Sequence, residues 1–219
     1  MGVVDRVIDV VVFDYGGVLT TPLRVSTPLW LAADRITPDS FTDTMRDWLG
    51  RDAAAGSPVH RLEIGELPGA EFERLFAARL VTEDGSPVVA AGLLQRLFAG
   101  MAIDEKMVAL VADLRAAGLR LGLLSNSWAN TYPDELLALF DAVVISGEVG
   151  LRKPDPVIYG LVLDKLAVPA ARSVFVDDAP VNVTAAIDLG MHGIRHEDAD
   201  RTRAALTELI PALAKDVTA

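Results

Sequence analysis

In Val10-Val11-Val12-Phe13-Asp14-Tyr15-Gly16-Gly17-Val18-Leu19-Thr20 an uninterrupted apolar run ends at a single carboxylate, and two glycines follow at once. The strand pattern stops where the charge appears. A carboxylate at the carboxyl end of a buried parallel strand sits where open α/β sheets bind ligands, and glycine at 16 and 17 lets the backbone approach a bound group. Taken alone, the stretch reads first as a strand closing in an Asp-Gly-type turn. The residues around it change that reading.

Upstream, the first strand is expected over Val7 to Tyr15. Downstream, Thr20-Thr21-Pro22 leaves the sheet, and up to about Gly100 apolar residues recur at three and four spacing in Pro28 to Ile36, Ser40 to Leu49, Glu71 to Leu80 and Val88 to Phe98. That spacing predicts helices and no second strand, so residues 22–99 read as a helical insertion whose core is Trp30, Phe41, Trp48, Leu62, Phe72 and Phe76. Residues 1–21 and 100–219 remain for the body of the fold. There, helix and strand alternate: a helix over Asp104 to Ala117 ended by Gly118, a strand over Leu119 to Leu124, a helix over Pro133 to Phe140, and a strand over Ala142 to Ile145. Residues 147–156 form a loop, followed by a helix over Val157 to Leu166 and a strand over Ser173 to Val176. A helix over Val181 to Leu189, a strand over Gly190 to Arg195 and a helix over Asp200 to Ala214 close the chain. Such alternation predicts an α/β fold with a parallel sheet covered on both faces.

Composition narrows the function classes. With 219 residues and 51% hydrophobic content the chain buries a substantial core, and its mean hydropathy is +0.34. No apolar run reaches the length of a membrane span, and the start lacks the layout of a signal peptide, so a soluble, cytoplasmic protein is expected. A formal net charge of -11, with no dense basic run, opposes nucleic-acid binding. The absence of cysteine removes disulfides, thiolate catalysis and zinc-thiolate sites, leaving oxygen as the main metal donor.

Asp14, Ser125 and the Asp177-Asp178 pair each follow an apolar strand, and Lys153 lies in a loop before a helix; parallel strands bring such ends to one edge. Each has a plain structural reading: Ser125 as a turn cap, Lys153 as a solvated side chain, Asp177-Asp178 as a helix start. Together they make a coherent anion site. An ionised carboxylate attacks phosphorus and splits one hard hydrolysis into two easier steps. Asp14 and the later aspartates are hard oxygen ligands for Mg²⁺, which offsets the repulsion between two anions. Lys153 neutralises charge developing on phosphoryl oxygens, which the Ser125 hydroxyl and the Asn126 N–H hold. Arg24, Arg51, His60, Arg61 and Glu63 in the helical insertion are candidates to face a substrate.

Phe-Asp-Tyr-Gly-Gly-Val-Leu, Leu-Leu-Ser-Asn-Ser, Glu-Val-Gly-Leu-Arg-Lys-Pro-Asp-Pro and Phe-Val-Asp-Asp-Ala-Pro-Val-Asn resemble, in order, the four motifs of the haloacid dehalogenase superfamily. The resemblance spans nearly the whole chain. It implies a Rossmann-like three-layer α/β/α core with a helical cap inserted after the first motif. It also implies Asp14 as nucleophile and metal ligand, Ser125 as the second-motif hydroxyl, Lys153 as the third-motif lysine, and Asp177 and Asp178 as metal acids, with Asn182 steadying the fourth motif. The backbone carbonyl of Gly16 would be a further ligand of the metal, with Gly16 and Gly17 close to substrate.

One position departs from the family. Its phosphatases usually carry a second Asp two residues after the nucleophile as acid and base, and here that residue is Gly16. The expected function is a Mg²⁺-dependent phosphatase acting on a small phosphomonoester. The alternatives are a metal-free dehalogenase, which also lacks the second Asp, and an inactive core that only binds. Dehalogenases resembling this fold place Ser and Asn where Asp177 and Asp178 stand, so the paired acids favour metal. Lys153→Ala is expected to harm catalysis more than folding, since a lysine in a surface loop contributes little stability.

Overall fold

The computed structural model describes residues 8–50 and 56–216. Its strands are β1 (Val10–Phe13), β2 (Arg120–Ser125), β3 (Ala142–Ile145), β4 (Ser173–Asp177) and β5 (His192–Arg195). Between β1 and α6 (Glu105–Ala116) lie α1 (Leu23–Ala33), α2 (Pro38–Leu49), α3 (Pro58–Glu63), α4 (Gly69–Ala77) and α5 (Leu93–Phe98). After β2 come α7 (Asp134–Leu137), α8 (Ser146–Val149), α9 (Pro156–Lys165), α10 (Pro180–Asp188) and α11 (Ala199–Leu209), with 3₁₀ turns at Ala170–Arg172 and Pro211–Asp216.

The sheet is parallel throughout, in the order β3-β2-β1-β4-β5. β1 is central because its four residues, Val10 to Phe13, can be buried on both faces, and all four are fully buried. Their side chains alternate as a strand requires. Val11 and Phe13 pack with Met107 and Leu110 of α6 and Leu206 of α11, while Val10 and Val12 pack with Ile158, Tyr159 and Val162 of α9 and Ala186 of α10. The result is the parallel sheet covered on both faces that the alternating pattern predicts, in the three-layer α/β/α Rossmann-like arrangement that the family resemblance implies. Helix starts are capped where the sequence supplies a carboxylate: Asp104 accepts from the amides of Lys106 and Met107, Asp155 from Val157, and Asp198 from Arg201.

Among the described residues, no strand of the sheet lies between β1 and α6. The chain leaves after an antiparallel bridge from Thr20 to Ile103, so departure and return run side by side, with the Thr21 amide donating to Ala102 O at 2.8 Å. The intervening helices have their own core. Trp30, Trp48, Leu62, Phe72 and Phe76 are buried in one cluster, and Phe41 packs against it from a partly buried position. Phe76 sits within 5.7 Å of Trp48 and 5.5 Å of Phe72, ring centre to ring centre.

Several boundaries differ from the expectation. β1 is shorter than Val7 to Tyr15 because the chain turns at Tyr15, whose carbonyl accepts from the amides of Val18 and Leu19; Val7 lies outside the described residues. α1 starts at Leu23, not Pro28, and carries Pro28 inside it. The helix expected over Val88 to Phe98 begins only at Leu93, because Gly92 is left-handed and Arg96 takes the carbonyls of Val89 and Ala91 with its guanidinium. The loop expected at 147–156 starts inside the single turn of α8, and Pro211 ends the last α-helix short of Ala214. α3 is an element the apolar spacing did not indicate, although Ser57-Pro58 is a good start signal: Ser57 Oγ accepts from the His60 amide and Pro58 occupies the first helical position. No described helix is long and apolar enough to cross a membrane.

Candidate active site

The ends of three strands and one loop converge on one sheet edge. Asp14 follows the last residue of β1, and its amide still donates to Val176 O of β4 at 2.9 Å. Ser125 is the last residue of β2 and Asp177 the last of β4. Because β2 and β4 flank β1 on opposite sides, these ends straddle the point where the strand order reverses, which in open α/β sheets opens a crevice.

Lys153 joins them. Its ammonium is 2.7 Å from Asp14 Oδ1 and 2.7 Å from Asp177 Oδ2, and the residue is 1% exposed. Burial alone would lower its pKa, but the two carboxylates and their hydrogen bonds more than offset this and raise it, so the ammonium stays charged. The Asn126 amide fixes the lysine's backbone at both ends, donating to Lys153 O at 3.0 Å and accepting from the Lys153 amide at 2.8 Å. The Asn126 side chain is therefore committed to positioning Lys153.

Asp177 is fully buried and heavily solvated by protein donors. Besides Lys153 it accepts from Asn182 Nδ2 at 3.0 and 3.2 Å and from the Ala179 amide at 2.8 Å, which also anchors the start of α10. Asp178 is partly buried beside Gly17. Gly17 has a φ of +79°, a conformation that favours glycine, and a Cβ there would lie 2.8 Å from Asp178 Oδ2 and push that carboxylate aside. Oxygens of Asp14, Asp177 and Asp178 lie within 4.8 Å of one another. Three carboxylates face one lysine, and burial pushes the Asp14 carboxyl up to about 7 and raises that of Asp178. This all-oxygen, acid-rich set fits a hard divalent cation of the Mg²⁺ kind.

Asp14, Gly16, Ser125, Asn126 and Lys153 open onto a cleft of about 1010 Å³ between the sheet edge and the helices of the 23–98 segment. Gly17, Arg24, His60 and Arg61 do not line it. The flank of Gly17 is occupied by Asp178, Arg24 is exposed on α1, and Arg61 is exposed on α3. His60 is partly buried, its pKa lowered by burial and then by the Arg152 charge. Arg51 lies outside the described residues. From the helical segment, Glu63 does reach the cleft, and its Oε2 accepts from Arg152 Nε at 2.7 Å. Burial raises its pKa and Arg152 works against that rise.

Sequence reasoning missed a second group. Tyr132 donates to Ser125 Oγ at 2.8 Å and its ring lies 4.1 Å from that of Tyr15. Trp128 and Phe98 face each other at 5.4 Å across the junction of sheet edge and helical segment. Only the position of Tyr132 and Trp128, a few residues beyond the Ser125-Asn126-Ser127 run, hinted at a place near the site.

Residues 8–190 match the family model of haloacid dehalogenase-like hydrolases. Flavin mononucleotide hydrolase 1 of Arabidopsis thaliana is 32% identical over 184 residues, covering 78% of this chain and 75% of that protein. Acyl-CoA dehydrogenase family member 10 of Mus musculus is 29% identical across 91% of this chain, which spans only 18% of that protein's length. A solved haloacid dehalogenase family enzyme of Bacteroides thetaiotaomicron, in complex with magnesium and inorganic phosphate, superposes with a TM-score of 0.65 at 20% identity, covering 87% of this chain and 94% of that one.

Proposed function

The chain belongs to the haloacid dehalogenase-like hydrolases, and from that premise we propose that it is a Mg²⁺-dependent phosphatase, cleaving a small phosphomonoester through an aspartyl-phosphate on Asp14. The observation that carries this reading is the cluster of Asp14, Asp177 and Asp178 around a single buried Lys153. Three acids and one ammonium leave an excess of negative charge that suits a cation, whereas metal-free attack on a carbon-halogen bond has no use for it.

In this mechanism an Asp14 oxygen attacks phosphorus, forming the O–P bond as the ester oxygen leaves, and water then hydrolyses the aspartyl-phosphate. Lys153 balances charge on the phosphoryl oxygens, and Ser125 Oγ, oriented by the Tyr132 hydroxyl, donates to one of them. Asn126 acts through Lys153, and Asn182 through Asp177. A divalent cation held by Asp14, Asp178 and the Gly16 carbonyl would supply the charge that lets two anions meet. Asp177 spends its oxygens on Lys153, Asn182 and the Ala179 amide, so Asp178 is the aspartate of the pair assigned as direct ligand.

The test is phosphate release from a panel that includes p-nitrophenyl phosphate, with and without Mg²⁺; no release under either condition sinks the reading. For the ligand assignment, Asp178→Asn is expected to weaken Mg²⁺ binding by roughly tenfold or more with little change in melting temperature. Calorimetric titration reads the affinity, and an unchanged value would return the ligand role to Asp177.

A further expectation follows from Gly16. Without an acid there, departure of a basic leaving group is slow, so log kcat/KM should fall with leaving-group pKa, and activated esters, acyl phosphates and anomeric sugar phosphates should outpace simple alkyl phosphates. General acid catalysis contributes about 10²–10⁴-fold. Gly16→Asp is sterically permitted, since an added Cβ meets nothing within 4 Å and the backbone is not left-handed. It should flatten the slope. A wild-type slope near zero, with chemistry rate-limiting, would mean that another donor such as Glu63 already serves.

A further inference from the structure

Much of the cleft lining is apolar. Leu94 and Phe98 of α5 and Met101 just beyond it come from one side, and Tyr15, Trp128 and Tyr132 from the sheet edge. Three of the polar side chains around Ser125 are already engaged, while Gln95 and Thr131 line the cleft from exposed positions. Asn126 is bonded at both ends to Lys153, Ser127 Oγ donates to Ala129 O at 3.0 Å, and the Tyr132 hydroxyl donates to Ser125.

Charge tells the same story. Among the described residues lining the cleft, Lys153 is the only basic one, and both its partners are carboxylates at 2.7 Å. Glu63 and Glu73 add acid on the side of the helical segment, and Glu73 is tied to the start of α5 by the amides of Gly92 and Leu94. A second anionic group on a substrate would meet these carboxylates, and Arg152, the cation beside Glu63, is already paired with it at 2.7 Å. Sugar-like hydroxyls pressed on Leu94, Phe98 and Trp128 would lose water without gaining partners, and a site discriminates strongly against groups left unpaired.

We infer that the leaving alcohol is uncharged and largely apolar, so that the substrate is a lipid-like or aromatic monophosphate with its single phosphate at Asp14 and its hydrocarbon body against Phe98 and Trp128. This rests on the phosphatase reading above and goes beyond it in naming the substrate class. Burial of the hydrocarbon supplies binding, and the one phosphate meets the one lysine.

The test compares primary alkyl phosphates, among which octanol, with no oxygen on the neighbouring carbon, is the most basic leaving group, so the effect of Gly16 works against the expected preference. The full chain with Mg²⁺ is assayed on n-octyl phosphate, glucose 6-phosphate and 3-phosphoglycerate, with p-nitrophenyl phosphate to report phosphatase activity as such. Expected is a kcat/KM for octyl phosphate at least roughly tenfold above the other two alkyl esters, carried by KM. That advantage should shrink in Phe98→Ala and persist in Phe98→Leu, which keeps an apolar side chain of useful size. Cleavage of p-nitrophenyl phosphate with no octyl preference, or with glucose 6-phosphate or 3-phosphoglycerate preferred, overturns the inference and leaves the phosphatase reading standing. Failure on every ester, p-nitrophenyl phosphate included, strikes the phosphatase reading itself and the inference with it.

Discussion

Asp14→Asn abolishes turnover, with kcat lowered about 10⁴-fold or more, the scale seen when a nucleophile is removed from machinery that works as a unit. The amide keeps the volume of the carboxylate but cannot form the aspartyl-phosphate. Folding should not suffer. Burial raises the Asp14 carboxyl from 3.8 to about 7, so in metal-free protein the folded state holds a proton that the unfolded chain has released. That linkage lowers stability as pH rises between those two values, and Asn removes it. Lys153 keeps its bond to Asp177. The checks are phosphate release together with a thermal melt at pH 7.5; near-wild-type release, or a collapse of the melting temperature, would each contradict the role given to Asp14.

Lys153→Ala is expected to be damaging in two ways at once. Removal of one donor to the developing charge costs roughly 10²–10³ in kcat. The structure also reverses the idea that this lysine is a mild loss to folding, because it is buried between two carboxylates instead of standing in solvent. Breaking a buried pair by deleting one partner costs about 3–5 kcal/mol, since the other charge is left uncompensated. For a chain of this size that corresponds to a drop of roughly 10 °C in melting temperature. Adding Mg²⁺ should recover part of the stability and little of the activity. A melt unchanged by Lys153→Ala in the presence of chelator would show that the ion pairs do not hold the site together.

The sheet and its edge were legible because their signals are local. Val10 to Phe13, Leu121 to Leu124 and Val174 to Val176 are apolar runs long enough for a buried strand, and each is followed at once by a polar residue. Lys153 was placed at the edge by sequence, but its burial was not, since that depends on Asp14 and Asp177 arriving from strands far away in the chain. The same reason hid the Glu63–Arg152 pair, whose members are 89 residues apart. Arg24, His60 and Arg61 looked like substrate contacts because basic residues in a helical insertion suit an anion. Which face of a short helix meets the cleft, however, is set by packing of Leu62 and its neighbours, and that packing turned Glu63 toward the cleft while Arg61 stayed exposed. Residues 88–92 misled for a different reason: their apolar spacing is helical, and Gly92 with the reach of Arg96 overrides it.

The bridge between Thr20 and Ile103 makes everything between them, as far as the sheet is concerned, one long loop whose ends are already closed. Closure entropy rises only logarithmically with length, about 0.6 kcal/mol for each doubling. Insertions, deletions or wholesale exchange of helices between those two residues therefore leave the register of β1 against β2 and β4 untouched. What an exchanged segment would have to rebuild is the pair of contacts that Glu63 makes with Arg152 and Phe98 with Trp128, where the helices meet the chemistry of the sheet edge.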